Sequence, residues 1–131
     1  MNRIKFKRDT SDDLIIVKAL IENKFEFHLA VDTAATHTTL DSNMLYLAGY
    51  ELKDSIGEVN IETSNGVITV ELYNVKIFES IGKMVENFEV QVYDFLAHGI
   101  TSNYEGVLGL DFFQNSKFTI DLINNEIYFN E

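Results

Sequence analysis

Along most of the chain apolar and polar side chains alternate one for one, the period of a strand with one buried face. Phe25-Glu26-Phe27-His28-Leu29 shows this most cleanly, placing Phe25, Phe27 and Leu29 on one face and His28 on the other. The pattern predicts strands over residues 14–20 and 24–31, with Ile21-Glu22-Asn23-Lys24 as a hairpin connection. Further strands are predicted at 56–63, 67–75, 77–79 and 88–93. Ser64-Asn65-Gly66 joins the first two of these, and Asn-Gly between alternating runs is a strong hairpin signal because both residues tolerate positive φ. A polar loop over 94–105 leads to a short apolar strand at 106–110 and a turn of helix at 111–115. Strands at 118–122 and 126–129 close the chain around an Asn-Asn turn. Helical character is confined to 41–48, with Asp41 or Ser42 as N-cap and Gly49 where a C-cap is expected. The class is mainly β, with one or two short helices.

Composition narrows the picture. At 131 residues, without repeats, linkers or low-complexity tracts, the chain reads as a single domain over 1–131. It contains no cysteine, which excludes disulfides, thiolate chemistry and Cys-ligated metals. It contains no proline either, so its turns must rest on Gly, Asn, Asp and Ser. Ten basic residues against 21 acidic ones leave a net charge of −11, which repels phosphate backbones and anionic lipid surfaces. Neither nucleic acid nor membrane is therefore an expected partner. No apolar run approaches the roughly 20 residues of a membrane span. The charged start lacks the apolar stretch of a secretory signal, so a cytoplasmic location is the expectation.

The candidate chemistry lies in Leu29-Ala30-Val31-Asp32-Thr33-Ala34-Ala35-Thr36-His37-Thr38-Thr39-Leu40. A carboxylate closing an apolar strand is costly to bury unless paired or hydrogen-bonded, and the small residues after it admit close approach of another chain. Asp-Thr or Asp-Ser alone says little, because Asp commonly starts turns. The pair recurs at Asp9-Thr10 and Asp54-Ser55, but no apolar strand precedes it there. His28, His37 and Asp32 do not make a convincing metal set: His28 reads as solvent-facing, and His37 either touches a ligand or faces water. His98, in the polar loop, reads as a surface residue. No phosphate-binding Gly-rich loop, serine elbow or zinc-helix motif is present, and no cofactor or metal is expected.

Val31-Asp32-Thr33-Ala34-Ala35 resembles the active-site motif of the retropepsin-like aspartic peptidases, an apolar pair followed by Asp-Thr/Ser-Gly-Ala. Val107-Leu108-Gly109 is similar to the family's second element, two apolar residues and a glycine packed behind the catalytic loop. The hairpin at 63–67 stands where the family has its flap, and Leu110-Asp111-Phe112-Phe113 with Phe118-Thr119-Ile120-Asp121 is similar to its closing helix and strands. The resemblance covers about residues 14–129 and implies a single-lobe acid-protease β-barrel.

It also implies roles. Asp32 would be the catalytic carboxylate, and Thr33 would hold the active-site loops of two subunits together. Ala34, Ala35, Thr36 and His37 would line the cleft and bind an extended peptide or protein substrate. Asn65 and Gly66 would close over that substrate. Val107, Leu108 and Gly109 would support the loop, while Asp111 and Asp121 would serve structurally. Peptide hydrolysis of this kind needs two carboxylates sharing one proton, and the chain has one such motif, so the implied active species is a symmetric homodimer. One position departs from the family: Ala34 stands where it has glycine. Two functional readings follow, an aspartic endopeptidase and a catalytically inactive module of the same fold that dimerises or binds peptides.

Overall fold

The computed structural model describes residues 2–9 and 13–130, so Thr10 of the Asp9-Thr10 pair lies outside it. Eleven strands are present among the described residues: β1 (Ile4–Lys5), β2 (Lys7–Arg8), β3 (Ile15–Ile21), β4 (Phe25–Val31), β5 (Thr39–Asp41), β6 (Gly57–Thr63), β7 (Gly66–Ser80), β8 (Lys83–Tyr93), β9 (Gly106–Leu108), β10 (Phe118–Asp121) and β11 (Glu126–Phe129). Two short helices, α1 (Ser42–Leu47) and α2 (Leu110–Phe113), interrupt them. Eight strands form one sheet in the order β2-β3-β4-β9-β5-β8-β7-β6, and β3 also pairs with β7, so the sheet returns on itself. A second antiparallel sheet, β1-β11-β10, gathers both ends of the chain.

Alternation did its expected work where strands have one wet face. In β4, Phe27 and Leu29 are fully buried while Glu26 is exposed. The turn into β4 takes Glu22 and Asn23 through φ near +58° and +57°, the left-handed pair a tight hairpin needs. In α1 the Asp41 carboxylate accepts from Asn43 N–H at 3.3 Å, and Gly49 takes φ +97° just past the Ala48 C-cap.

β1, β2, β5 and residues 83–87 of β8 form strands the pattern did not mark, and three further features differ from it. β7 runs unbroken through residues assigned above to two strands, because β8 pairs with it on both sides of Lys76, from Glu71↔Val92 to Ser80↔Lys83. The β7–β8 connection is Ile81-Gly82, with φ +54° and +72°. A β-branched residue in that region costs about 1–2 kcal/mol. Ile81 is nevertheless 5% exposed and belongs to the core, so burial offsets the strain. At the β6–β7 hairpin, Thr63 faces Gly66 across the ladder, so Ser64 and Asn65 form the tip. Only Gly66 has positive φ (+113°), which makes the turn a different one from the Asn-Gly pair expected there.

Aromatic rings tie the layers together. Phe112 of α2 lies 5.5 Å from Phe78 on β7 and 6.0 Å from Phe129 on β11, and Phe113 stacks on Phe118 of β10 at 4.2 Å. Through α2 the small sheet is thus packed onto the large one, directly behind the Asp32 segment.

Candidate active site

Asp32 follows the last residue of β4, held at the centre of the large sheet. β9 lies parallel to β4 (Val31↔Leu108) and antiparallel to β5 (Thr39↔Val107), so the chain before and after Asp32 is clamped on both sides of one three-residue strand. The Asp32 amide continues this pairing by donating to the Leu108 carbonyl at 3.0 Å. The strand then breaks. Ala34 N–H donates to Asp32 Oδ1 at 2.9 Å and Ala35 N–H to the Asp32 carbonyl at 3.1 Å, a tight turn in which the carboxylate is oriented by its own loop. Asp32 is half-buried, whereas Thr33 and Ala34 are exposed and Ala35 half-buried. Ala34 is absent from the residues with positive φ, so its methyl group meets no left-handed strain.

The loop is braced from behind by a buried cross-link. Thr38 is fully buried; its hydroxyl donates to Asp111 Oδ1 at 2.8 Å and accepts from Gly109 N–H at 3.1 Å. Its amide donates to both Asp111 carboxylate oxygens, at 3.0 and 2.9 Å, and Phe112 N–H adds a further bond at 2.9 Å. Gly109 has to be small here, because a Cβ on it would stand 2.6 Å from the His37 carbonyl carbon. Gly106 is under the same constraint, since a Cβ there would run into the Thr39 carbonyl oxygen. Leu110 N–H closes the arrangement by donating to the Ala35 carbonyl at 2.9 Å.

Of the residues named from the sequence, Asp32 through His37 and Val107 through Gly109 come together in this one loop-and-strand unit. Thr36 and His37 are exposed and joined side chain to side chain, Oγ1 to Nδ1 at 2.9 Å. Asn65 and Gly66 sit apart at the β6–β7 hairpin, exposed. Ile61, on the β6 strand of that hairpin, lines an apolar cavity of about 170 Å³ with Thr39, Tyr93, Phe95, Ile100, Tyr104 and Val107. The Thr38 bonds, the Gly106 contact and this cavity escaped sequence reasoning. The recurrence of a second glycine three residues before Gly109 was the one local sign of the close approach. No three His, Asp or Glu side chains among the described residues gather as a metal site.

A family model described as gag-polyprotein putative aspartyl protease matches residues 17–115, which contain every residue of this loop-and-strand unit. The chain belongs to that family. A crystal structure of a retropepsin-like aspartic protease from Rickettsia conorii superposes with a TM-score of 0.71 at 21% identity, covering 98% of this chain and 89% of that one. No curated protein sequence matches it. The fold is therefore retropepsin-like and mainly β. Family and fold together support a peptidase. No helix among the described residues is long and apolar enough to cross a membrane.

Proposed function

We propose that this chain is an aspartic endopeptidase acting on extended peptide or protein substrates as a symmetric homodimer, with Asp32 supplied once by each subunit. The observation that carries the reading is the placement of Asp32: half-buried, leaving a central strand, its Oδ1 held at 2.9 Å by Ala34 N–H. Two carboxylates brought together in this way cannot both ionise cheaply, so the pair retains one proton; aspartic proteases are the standard illustration of that pattern. The ionised carboxylate takes a proton from water, whose oxygen attacks the scissile carbonyl carbon, while the protonated one donates to the carbonyl oxygen. Collapse of the resulting diol breaks the C–N bond as a proton passes to the leaving amine.

In this reading Thr33 joins the two loops, and Ala34, Ala35, Thr36 and His37 face the peptide main chain. Asn65 and Gly66 close over it from the β6–β7 hairpin, and Val107 to Gly109 keep the loop in place. The inactive-module reading rested on Ala34 in place of glycine. The ordinary backbone at Ala34 and its exposure favour the enzyme. The test is cleavage of a diverse peptide library between pH 4 and 7, read by mass spectrometry, for the wild type beside Asp32→Asn. Cleavage that disappears in the variant is expected. Equal products from both proteins, or none from the wild type at concentrations where it is dimeric, would transfer the proposal to the inactive module.

A further inference from the structure

A second concavity, of about 390 Å³, lies between α1 and the strands β7 and β8. Four of the chain's six tyrosines, Tyr46, Tyr50, Tyr73 and Tyr93, line it. Between them stand three carboxylates: Glu51, Glu71 and Asp94. No lysine or arginine is among its described lining residues. Nearest in sequence is Lys53, whose ammonium is engaged 3.6 Å from Glu51. His98 presents its ring edge-on to Tyr93 at 5.2 Å, with Nδ1 2.9 Å from the Asp94 carbonyl oxygen.

Aromatic faces carry negative charge density, and a cation set over them is attracted, more strongly as water is excluded. Here the rings and the carboxylates favour the same sign of ligand. Burial raises the hydroxyl pKa of Tyr73 and Tyr93, and the fields of Glu71 and Asp54 at Tyr73, and of Asp41 at Tyr93, push further in that direction. Asp94 is shifted the other way: bonds from the Asn43 side chain and the Ala97 amide hold its carboxyl below the ordinary aspartate value, so it stays ionised at neutral pH. The volume is that of a small-molecule site, where an apolar wall with a few fixed polar groups sets the class of ligand.

We propose that this tyrosine-walled pocket binds a small organic cation, an alkylammonium or alkylguanidinium compound of about amino-acid size. Asp32 does not line it, and binding there does not depend on the peptidase reading. Its floor is shared with β7, the second strand of the β6–β7 hairpin, through Thr69, Glu71 and Tyr73. A bound cation would therefore join α1 to that hairpin.

The chain has no tryptophan, so its intrinsic emission comes from tyrosine, and four of the six emitters report on this pocket. Titration with butylguanidinium should change that emission saturably, with a dissociation constant of about 10 mM or less. The neutral analogue pentanamide should bind at least about fivefold more weakly, because it lacks the charge the rings and carboxylates select. Asp94→Asn and, independently, Tyr46→Leu should each lower butylguanidinium affinity severalfold. Tyr46 is 64% exposed, so its replacement leaves the core untouched and gives a reading even if Asp94→Asn perturbs the loop. Equal binding of the two compounds, no saturable change, or wild-type affinity in Tyr46→Leu would overturn the proposal. Asp32→Asn should bind as the wild type does, which separates failure of this site from failure of the peptidase reading.

Discussion

Thr38 and Gly109 show how much of the candidate active site is decided by single side chains. Thr38 supplies one hydroxyl to two partners in a fully buried position. Thr38→Val keeps the shape but leaves the Gly109 amide without its acceptor, at a cost of about 1–3 kcal/mol. Chemical denaturation should read that loss, and peptide cleavage should fall as the Asp32 turn loosens. Gly109→Ala forces a methyl group against the His37 backbone, where nothing flexible can yield. Overpacking of this kind costs about 1–3 kcal/mol, and the variant should show it in its denaturation midpoint. Ala34→Gly is the contrasting case. Ala34 is exposed and free of positive φ, so the change should leave cleavage unaltered and cost about 0.5 kcal/mol through the unfolded chain.

Elements matter here mainly through what they are tied to. The β10–β11 hairpin closes the small sheet, and its turn is organised by Asp121, whose carboxylate accepts from the Ile123 and Asn124 amides at 2.9 and 3.0 Å and from the Asn124 side chain at 2.8 Å. The bond from the Asn124 side chain, then that from its amide, holds the Asp121 carboxyl below the ordinary aspartate value. A carboxyl lowered on folding stabilises the hairpin fully above its unfolded value, and the contribution is lost as pH falls through the folded one. The turn should therefore loosen only in acid, below about pH 4. NMR titration of the Ile123 and Asn124 amide shifts should give a midpoint below that of an unstructured aspartate, and Asp121→Asn should abolish the titration. A midpoint at or above the unstructured value would contradict this account of the turn. β9 illustrates the same dependence: three residues long, it holds the flanks of Asp32 in register because it pairs on both sides.

At the scale of the molecule, charge sets the terms of the proposed dimer. Each chain carries −11, so two of them repel, most strongly at low salt and neutral pH. Sedimentation should find association weak at pH 7.5 and low salt, strengthening with added salt and towards pH 5. A tight dimer at pH 7.5 and low salt would show that local pairing overrides the net charge. The proposed peptidase activity, which would need Asp32 twice, should rise with protein concentration under the same conditions that promote association.

The strands at 15–21, 25–31, 118–121 and 126–129 were legible because a period-two pattern directly records which face meets the core. The candidacy of Asp32 was legible for a related reason, since its strand, hydroxyl neighbour and small residues are contiguous. Partner choice was not. β1 and β2, two residues each, carry no period and exist through pairing with β11 and β3. The unbroken course of β7 depends on β8, and the left-handed Ile81 depends on burial that only packing supplies. Thr38 and Asp111 stand 73 positions apart, and the tyrosines of the second pocket come from three segments of the chain. A sequence pattern registers that a side chain is buried or small but not what it will meet. That was decided by the tertiary structure, which brings distant segments within the few ångströms over which hydrogen bonds and steric contact act.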